Sequence, residues 1–264
     1  SAASDVYKRQ VLNEAGAEIL GKPVGSYLTL EADRLLLPDE DFHSEVSDEL
    51  ANVLKELAEH ALGKKEGEEK EAPFLHGQPV ILVAGLGNQS VTPDSLGPRT
   101  VNNLSVSQNE TGLKAIAPGV MAQTGMETAR ILSGLIREIK PDLVIAIDAL
   151  AARSIRRLGT TIQLTDTGIH PGSGVGNHRH SLTKETLGIP VLAVGVPTVV
   201  GAAAIVHDTI SALTGVLASE EATKNTGKWI ENMNPEDQYR MIRELLEPCL
   251  LYTSPSPRDV EESR

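Results

Sequence analysis

The sequence predicts an α/β protein, a three-layer sandwich around a mostly parallel central sheet, with a small N-terminal portion made of a β-hairpin and a helix. Two patterns carry this prediction. Continuous apolar runs recur along the second half of the chain, as in strands that are buried on both faces. Amphipathic helical patterns alternate with these runs. The chain has 264 residues, of which 40% are hydrophobic, and this is enough for one large domain.

The two ends of the chain, residues 1–10 and 249–264, match no element periodicity, and we expect both to be non-native. We therefore predict one α/β domain over residues 11–248. Within it, residues 63–70 contain only glycine, lysine and glutamate. This composition predicts a charged linker over 63–72.

The N-terminal portion begins with two short extended runs, residues 17–20 and 26–30, separated by a segment rich in glycine. This pattern predicts a hairpin or an edge ribbon. After Pro38, apolar residues recur at spacings of three and four, which predicts a helix with one buried face. These residues are Val46, Leu50, Val53, Leu54, Leu57 and Ala61.

Four later runs predict the buried strands, at residues 80–84, 143–147, 160–164 and 190–195. A helix is expected after Pro98. Thr124 and Glu127 have the spacing of a capping box, and the helix that follows has an apolar face. That face comprises Met126, Ala129, Leu132, Leu135, Ile136 and Ile139. Two last helices are expected at 202–217 and 235–246.

Charge and composition exclude several classes of protein. A net charge of -12 repels phosphate backbones, so we expect no direct binding to nucleic acid. The sequence has no run of about 18 apolar residues, so we expect no membrane span. Cys249 is the single cysteine. Without a disulfide partner or a recognisable signal peptide, the chain is expected in the cytoplasm.

Two aspartates follow predicted strands at positions where ligands bind in open α/β sheets. Asp94 lies in the loop after the first apolar run, and Asp148 directly ends the second. Two carboxylates in one partly desolvated site titrate apart, so that one can act as an acid and the other as a base that activates water. Helix capping for Asp94 and backbone capping for Asp148 stay open as alternatives.

The loop after the third predicted strand is rich in glycine and histidine. Asp166 and His170 in this loop, together with Asn88, are candidates for orienting the carboxylates or the substrate. Asp166 with His170, His178 and His180 could also ligate a divalent metal. The loop could equally hold a substrate carbonyl through its backbone N–H groups or only shape the rim of the site.

Several strings of residues, all in one order, resemble the spore germination protease family. They are GLGN at 85–88, VTPDSLGP at 91–98, IAPGVM at 116–121, IAIDALAAR at 145–153, the stretch 166–177 and GVPTVV at 195–200. The resemblance extends over residues 12–248. Two local departures are a short segment at 105–114 and Ser95, which stands where the family usually has alanine.

The resemblance implies an atypical aspartic-type endopeptidase that degrades small acid-soluble spore proteins during germination and whose fold is related to the hydrogenase-maturation peptidases. The two essential aspartates of the family fall on Asp94 and Asp148. The resemblance also implies a tetramer, made as a zymogen in the developing spore, with no cofactor and no metal.

Two other functions stay open. One is a metal-dependent maturation-type peptidase in which Asp94, Asp148 and His170 bind a divalent ion. The other is a ligand-binding module without enzymatic activity, in which the loops rich in glycine hold an anion and the aspartates are only caps.

Overall fold

The computed structural model describes residues 5–63, 79–106, 112–169, 181–202 and 204–209. Their strands form one seven-stranded sheet in the order β1-β2-β6-β7-β5-β3-β4. The strands are β1 (Asp5–Val11), β2 (Gly25–Glu31), β3 (Ile81–Gly85), β4 (Leu113–Ile116), β5 (Leu143–Ala152), β6 (Thr161–Thr165) and β7 (Val191–Val200).

The helices lie between these strands. They are α1 (Glu14–Leu20), α2 (Glu40–Ala61), α3 (Leu96–Asn103), α4 (Met121–Thr124), α5 (Thr128–Ile139) and α6 (Lys184–Leu187). Single 3-10 turns stand at Thr92–Asp94 and Ile155–Arg157. None of the helices in the described ranges is long and apolar enough to cross a membrane.

The sheet is mixed. On one side β3 pairs in parallel with β4 and with β5, as the apolar runs predict. On the other side the pairs β1·β2, β2·β6 and β6·β7 are antiparallel. The α/β class is confirmed, whereas the mostly parallel arrangement holds only for the first side. The difference has two sources, because β6 itself runs antiparallel to β7 and the N-terminal hairpin then adds two further antiparallel pairs at β6.

Helices cover the sheet on both faces, which gives the expected three layers. Phe42, Val46, Val53 and Leu57 of α2 pack in one core together with Leu30. On the opposite face, a second core surrounds the fully buried Leu132 of α5. Successive residues of β3 alternate between the two cores, as the pleat of a strand requires.

The long helix predicted after Pro38 is confirmed as α2. Asp39 begins it, because its carboxylate accepts a hydrogen bond from the N–H of Phe42 at 3.1 Å. The predicted strands at 80–84, 143–147, 160–164 and 190–195 correspond to β3, β5, β6 and β7. The edge strand β4 was not predicted.

The prediction of an extended run at 17–20 is wrong, because these residues are helical in α1. The Asn13 side chain accepts a hydrogen bond from the N–H of Gly16 at 2.9 Å and starts a helix there. Gly21, with φ at 61°, ends it. The hairpin partner of β2 is instead β1, within residues that the sequence analysis left outside the fold.

The capping box at Thr124 and Glu127 is also wrong. Thr124 is the last residue of α4, and Gly125 ends that helix with φ at 68°. The Thr124 hydroxyl bonds to the N–H of Met126, and α5 begins two residues later at Thr128. The rest of the predicted apolar face packs on the sheet, while Met126 is 56% exposed.

The described residues fall into two compact units. The larger lies within residues 1–151 and 159–199 and contains the sheet except for its last residues in β5 and β7. In the smaller unit, the Asp208 carboxylate accepts hydrogen bonds from the Ser154 hydroxyl and the Ile155 N–H, at 2.9 and 2.7 Å.

The single domain that the sequence predicts over residues 11–248 stays a prediction. Most of residues 63–72 and 202–217, and all of 235–246, lie outside the described residues.

Gly97, near the start of α3, lies directly against backbone atoms of β5 and of the residue after β3. A Cβ at this position would lie 2.4 Å from the N and O atoms of Leu86 and 2.6 Å from the O atom of Ile147. Backbone atoms cannot move aside as a flexible side chain can, so α3 or the strand ends would have to shift.

We expect Gly97→Ala to lower the free energy of unfolding by about 1 to 3 kcal/mol, the range for overpacked cores. The matched control is Gly134→Ala in α5, where no atom lies within 4 Å of the new Cβ. The control should raise the free energy of unfolding by about 0.5 to 1 kcal/mol through helix propensity. Urea denaturation of both variants checks this. Equal stability of the two variants would contradict it.

Candidate active site

Asp94 and Asp148 line the same cleft, which has a volume of about 730 Å³. Gly87 and Gly119 line it as well, next to the ends of β3 and β4, and Gly195 of β7 lies on its wall. The predicted pair of aspartates is therefore brought to one cleft at the carboxyl ends of parallel strands.

Asp148 lies in β5, just beyond the residues that pair with β3. The Ile147 carbonyl accepts a hydrogen bond from the N–H of Leu86 at 2.7 Å, which holds the two strand ends together at this point. Asp148 is only 8% exposed. One of its carboxylate oxygens accepts a hydrogen bond from the N–H of Ala149 at 2.9 Å, which offsets part of the cost of burying this group.

Asp94 ends the 3-10 turn before α3 and is partly exposed. Its carboxylate Oδ2 accepts a hydrogen bond from the N–H of Asn88 at 2.8 Å, and its main-chain oxygen accepts from the same N–H at 3.0 Å. Gly87 permits this contact. Its φ is +111°, and a Cβ there would lie 2.1 Å from the main-chain oxygen of Asp94.

The capping alternative for Asp94 is not what the structure shows. Ser95 occupies the N-cap position of α3 and makes no side-chain capping bond. Its buried hydroxyl donates to the Thr92 carbonyl at 2.8 Å instead. A serine is thus accommodated where the resembled family usually has alanine.

Asn88 contacts Asp94 through its backbone and not through its side chain. The Asn88 side-chain oxygen accepts hydrogen bonds from the N–H of Ser90 at 2.9 Å and from Nε2 of Gln123 at 2.8 Å. The second bond ties the loop after β3 to α4. The backbone of Asn88 therefore contacts the Asp94 carboxylate, and a role of Asn88 in orienting that group stays a prediction.

Asp166 is not among the described residues that line the cleft, although Thr165 and Thr167 on either side of it are. Its carboxylate accepts a hydrogen bond from the N–H of Ser26 at 2.7 Å, and its other oxygen lies 3.8 Å from Nδ1 of His60. These contacts join β6 to β2 and α2. His170, the remaining candidate, lies outside the described residues.

No group of three histidine, cysteine, aspartate or glutamate side chains suited to a metal ion occurs within the described ranges. His178 and His180, like His170, lie outside them. In the metal-dependent alternative, Asp94, Asp148 and His170 would bind the ion, and of these three only Asp94 and Asp148 are among the described residues. Two carboxylates at one cleft supply what acid and base catalysis with a water nucleophile requires.

The sequence did not indicate three polar residues that shape the site. Lys22 and Tyr27 line the cleft, and the Lys22 ammonium lies 4.7 Å from the centre of the Tyr27 ring. Thr198 of β7 lines the cleft next to Asp94. Only Thr198 had a signal in the sequence, since it lies in the string at 195–200 that contributes to the family resemblance.

Comparison with known proteins shows the family of the chain. A model of the germination protease family matches residues 3–239 of the chain. The germination protease of Caldanaerobacter subterraneus subsp. tengcongensis is 45% identical over an alignment of 266 positions, which covers 96% of this chain and 77% of that protein. The germination protease of Clostridium perfringens (strain ATCC 13124) is 38% identical with the same coverage. That of Oceanobacillus iheyensis is 47% identical over 75% of this chain and 54% of its own length.

These matches show that the protein is an endopeptidase, a hydrolase of peptide bonds. The chain belongs to the germination protease family. Among solved structures, a nickel-iron hydrogenase maturation protease from Thermococcus kodakarensis is similar with a TM-score of 0.32 and 21% identity, over 46% of this chain and 75% of that one. A similarity this low carries no information on function.

Tyr27 should titrate above its usual range. Burial raises the pKa of its hydroxyl, the hydrogen bond with Thr167 lowers it, and the negative charge of Asp166 raises it, with a net increase over the ordinary value of 10.0. The pKa of Tyr27 is therefore higher in the folded than in the unfolded protein. The protonated Tyr27 hydroxyl contributes fully to the free energy of unfolding below about pH 10, and this contribution is lost as the pH rises further.

The measurement is an alkaline titration of the folded wild type and of folded Tyr27→Phe, followed by tyrosinate absorbance. The absorbance that is present in the wild type and missing in the variant belongs to Tyr27. We therefore expect this difference to develop above pH 10. A difference that develops at or below pH 10 would contradict the position of Tyr27 in the cleft.

Proposed function

We propose that this protein degrades small acid-soluble spore proteins when spores germinate, with a water molecule that is activated between Asp94 and Asp148. The observation that carries the proposal is the shared cleft. The two aspartates are 54 positions apart in sequence, yet both residues line one cavity. Membership in the germination protease family supports the substrate.

In this mechanism one carboxylate acts as a general base and removes a proton from water, which attacks the carbonyl carbon of the peptide bond. The other carboxyl group acts as a general acid and donates a proton to the departing amine. The N–H of Asn88 holds the Asp94 carboxylate, and the N–H of Ala149 holds that of Asp148. Carboxylates that are held in this way need not be ordered again for each reaction, which is how orientation contributes to catalysis.

The lining of the cleft suits a polypeptide substrate. Both apolar and polar residues line it, among them Leu150, Val199 and Thr165. The volume of about 730 Å³ accommodates several residues of a peptide. By the same family resemblance, we propose that the protein is a cytoplasmic tetramer that is made as a zymogen in the developing spore.

The test uses the purified protein, a small acid-soluble spore protein and mass spectrometry of the fragments. We expect Asp94→Asn and Asp148→Asn each to lower the rate of cleavage by about 100- to 10,000-fold, the usual contribution of an acid or base group. Asparagine keeps one side-chain oxygen as an acceptor for the backbone N–H, so the fold should be preserved. The matched control is Asp48→Asn, on the exposed side of α2, which should cleave like the wild type.

Cleavage at the wild-type rate by either active-site variant would refute the aspartate pair. A chelator distinguishes the metal-dependent alternative. Cleavage that persists in chelator supports the metal-free reaction, whereas loss that is reversed by added divalent ion would favour a site formed by Asp94, Asp148 and His170. Binding of phosphate without any proteolysis would favour the ligand-binding module.

A further inference from the structure

The turn that carries Asp94 is bonded to a distant strand of the sheet. Oγ1 of Thr198, in β7, donates a hydrogen bond to the carbonyl of Pro93 at 2.5 Å, across 105 positions of sequence. β7 is the neighbour of β5, which carries Asp148. We infer that Thr198 is a positioning residue that holds Asp94 in place opposite Asp148. This inference rests on the function proposed for the two aspartates.

The Thr198 bond acts on the peptide unit immediately before Asp94. The carbonyl of this unit accepts from Thr198, and its N–H, which belongs to Asp94, donates to the Val91 carbonyl at 2.8 Å. A peptide unit is planar, so bonds at both of its ends fix the orientation of the whole plane. This plane contains the N and Cα atoms of Asp94, so it fixes the point from which the Asp94 side chain leaves the backbone.

Two hydrogen bonds in the turn around Asp94 act over a short distance in sequence. The N–H of Asn88 binds Asp94 across six positions, and the Ser95 hydroxyl binds the Thr92 carbonyl across three. Such bonds determine the internal shape of the turn. The Thr198 bond determines where the Pro93 end of the turn lies relative to the sheet, just as the close packing of Gly97 determines where α3 lies.

The position of the turn relative to the sheet matters for the proposed reaction. An acid-base pair works only while its two groups keep the geometry that the reaction requires, and a displacement of about 1 Å can cost about 100-fold in rate. Because Thr198 is partly exposed, water can hydrate the Pro93 carbonyl when the hydroxyl is absent. Loss of the bond should therefore affect the placement of Asp94 far more than the stability of the fold.

Two variants of Thr198 separate the hydroxyl from the rest of the side chain. Thr198→Val removes the hydroxyl and keeps the shape, whereas Thr198→Ser keeps the hydroxyl. We expect Thr198→Val to lower kcat by about 10- to 100-fold with KM changed less than about threefold, and Thr198→Ser to retain kcat within about threefold. Both should unfold at nearly the wild-type temperature.

Three results would overturn the inference. The first is a wild-type kcat in Thr198→Val. The second is an equal loss in both variants, which would assign the effect to packing. The third is a rise in KM with kcat unchanged, which would make Thr198 a substrate-binding residue instead.

Amide hydrogen exchange tests the same inference without turnover. In Thr198→Val the N–H groups of Asn88 and Asp94 should exchange at least about tenfold faster than in the wild type, and in Thr198→Ser they should not. Unchanged exchange in Thr198→Val would overturn the inference. The Asp94→Asn variant separates the two claims. Full activity in that variant refutes the aspartate mechanism, whereas loss of activity there together with a normal Thr198→Val refutes only the role of Thr198.

Discussion

The cleft depends on one close approach between three segments of backbone. The N–H of Leu86 binds the carbonyl of Ile147, and Gly97 of α3 packs directly on this pair of residues. Any residue with a Cβ at Gly97 would push α3 away from the ends of β3 and β5. Asp94 comes shortly before Gly97 in sequence and Asp148 directly follows Ile147, so this contact brings both carboxylates to the same place.

The strands that position the aspartates could be predicted because each is an uninterrupted apolar run between turn residues. Asp94 and Asp148 could be selected because strand ends are where open α/β sheets bind ligands. α1 and β1 could not be predicted in this way. α1 has no buried residue, and β1 is exposed along almost its whole length, so neither has an apolar periodicity.

Another error arises because a local pattern can fit two structures equally well. Thr124 and Glu127 have the spacing of a capping box, but the left-handed Gly125 between them ends one helix before the next begins. The carboxylate of Asp166 binds Ser26 of the neighbouring strand, a contact that the sequence did not indicate, and a role of Asp166 in the site stays a prediction. Contacts such as that of Thr198 with Pro93 join residues 105 positions apart, and one sequence contains no local sign of them.

The distance in sequence between the two carboxylates has a consequence for synthesis of the chain. Asp94 leaves the ribosome well before β5 does, and Asp148 reaches the cleft only when β5 has paired with β3 along residues 81–85. The two groups therefore meet only once β5 has paired with β3. A nascent or unfolded chain carries both side chains but has no cleft, so the arrangement that the proposed reaction needs exists only in the folded chain.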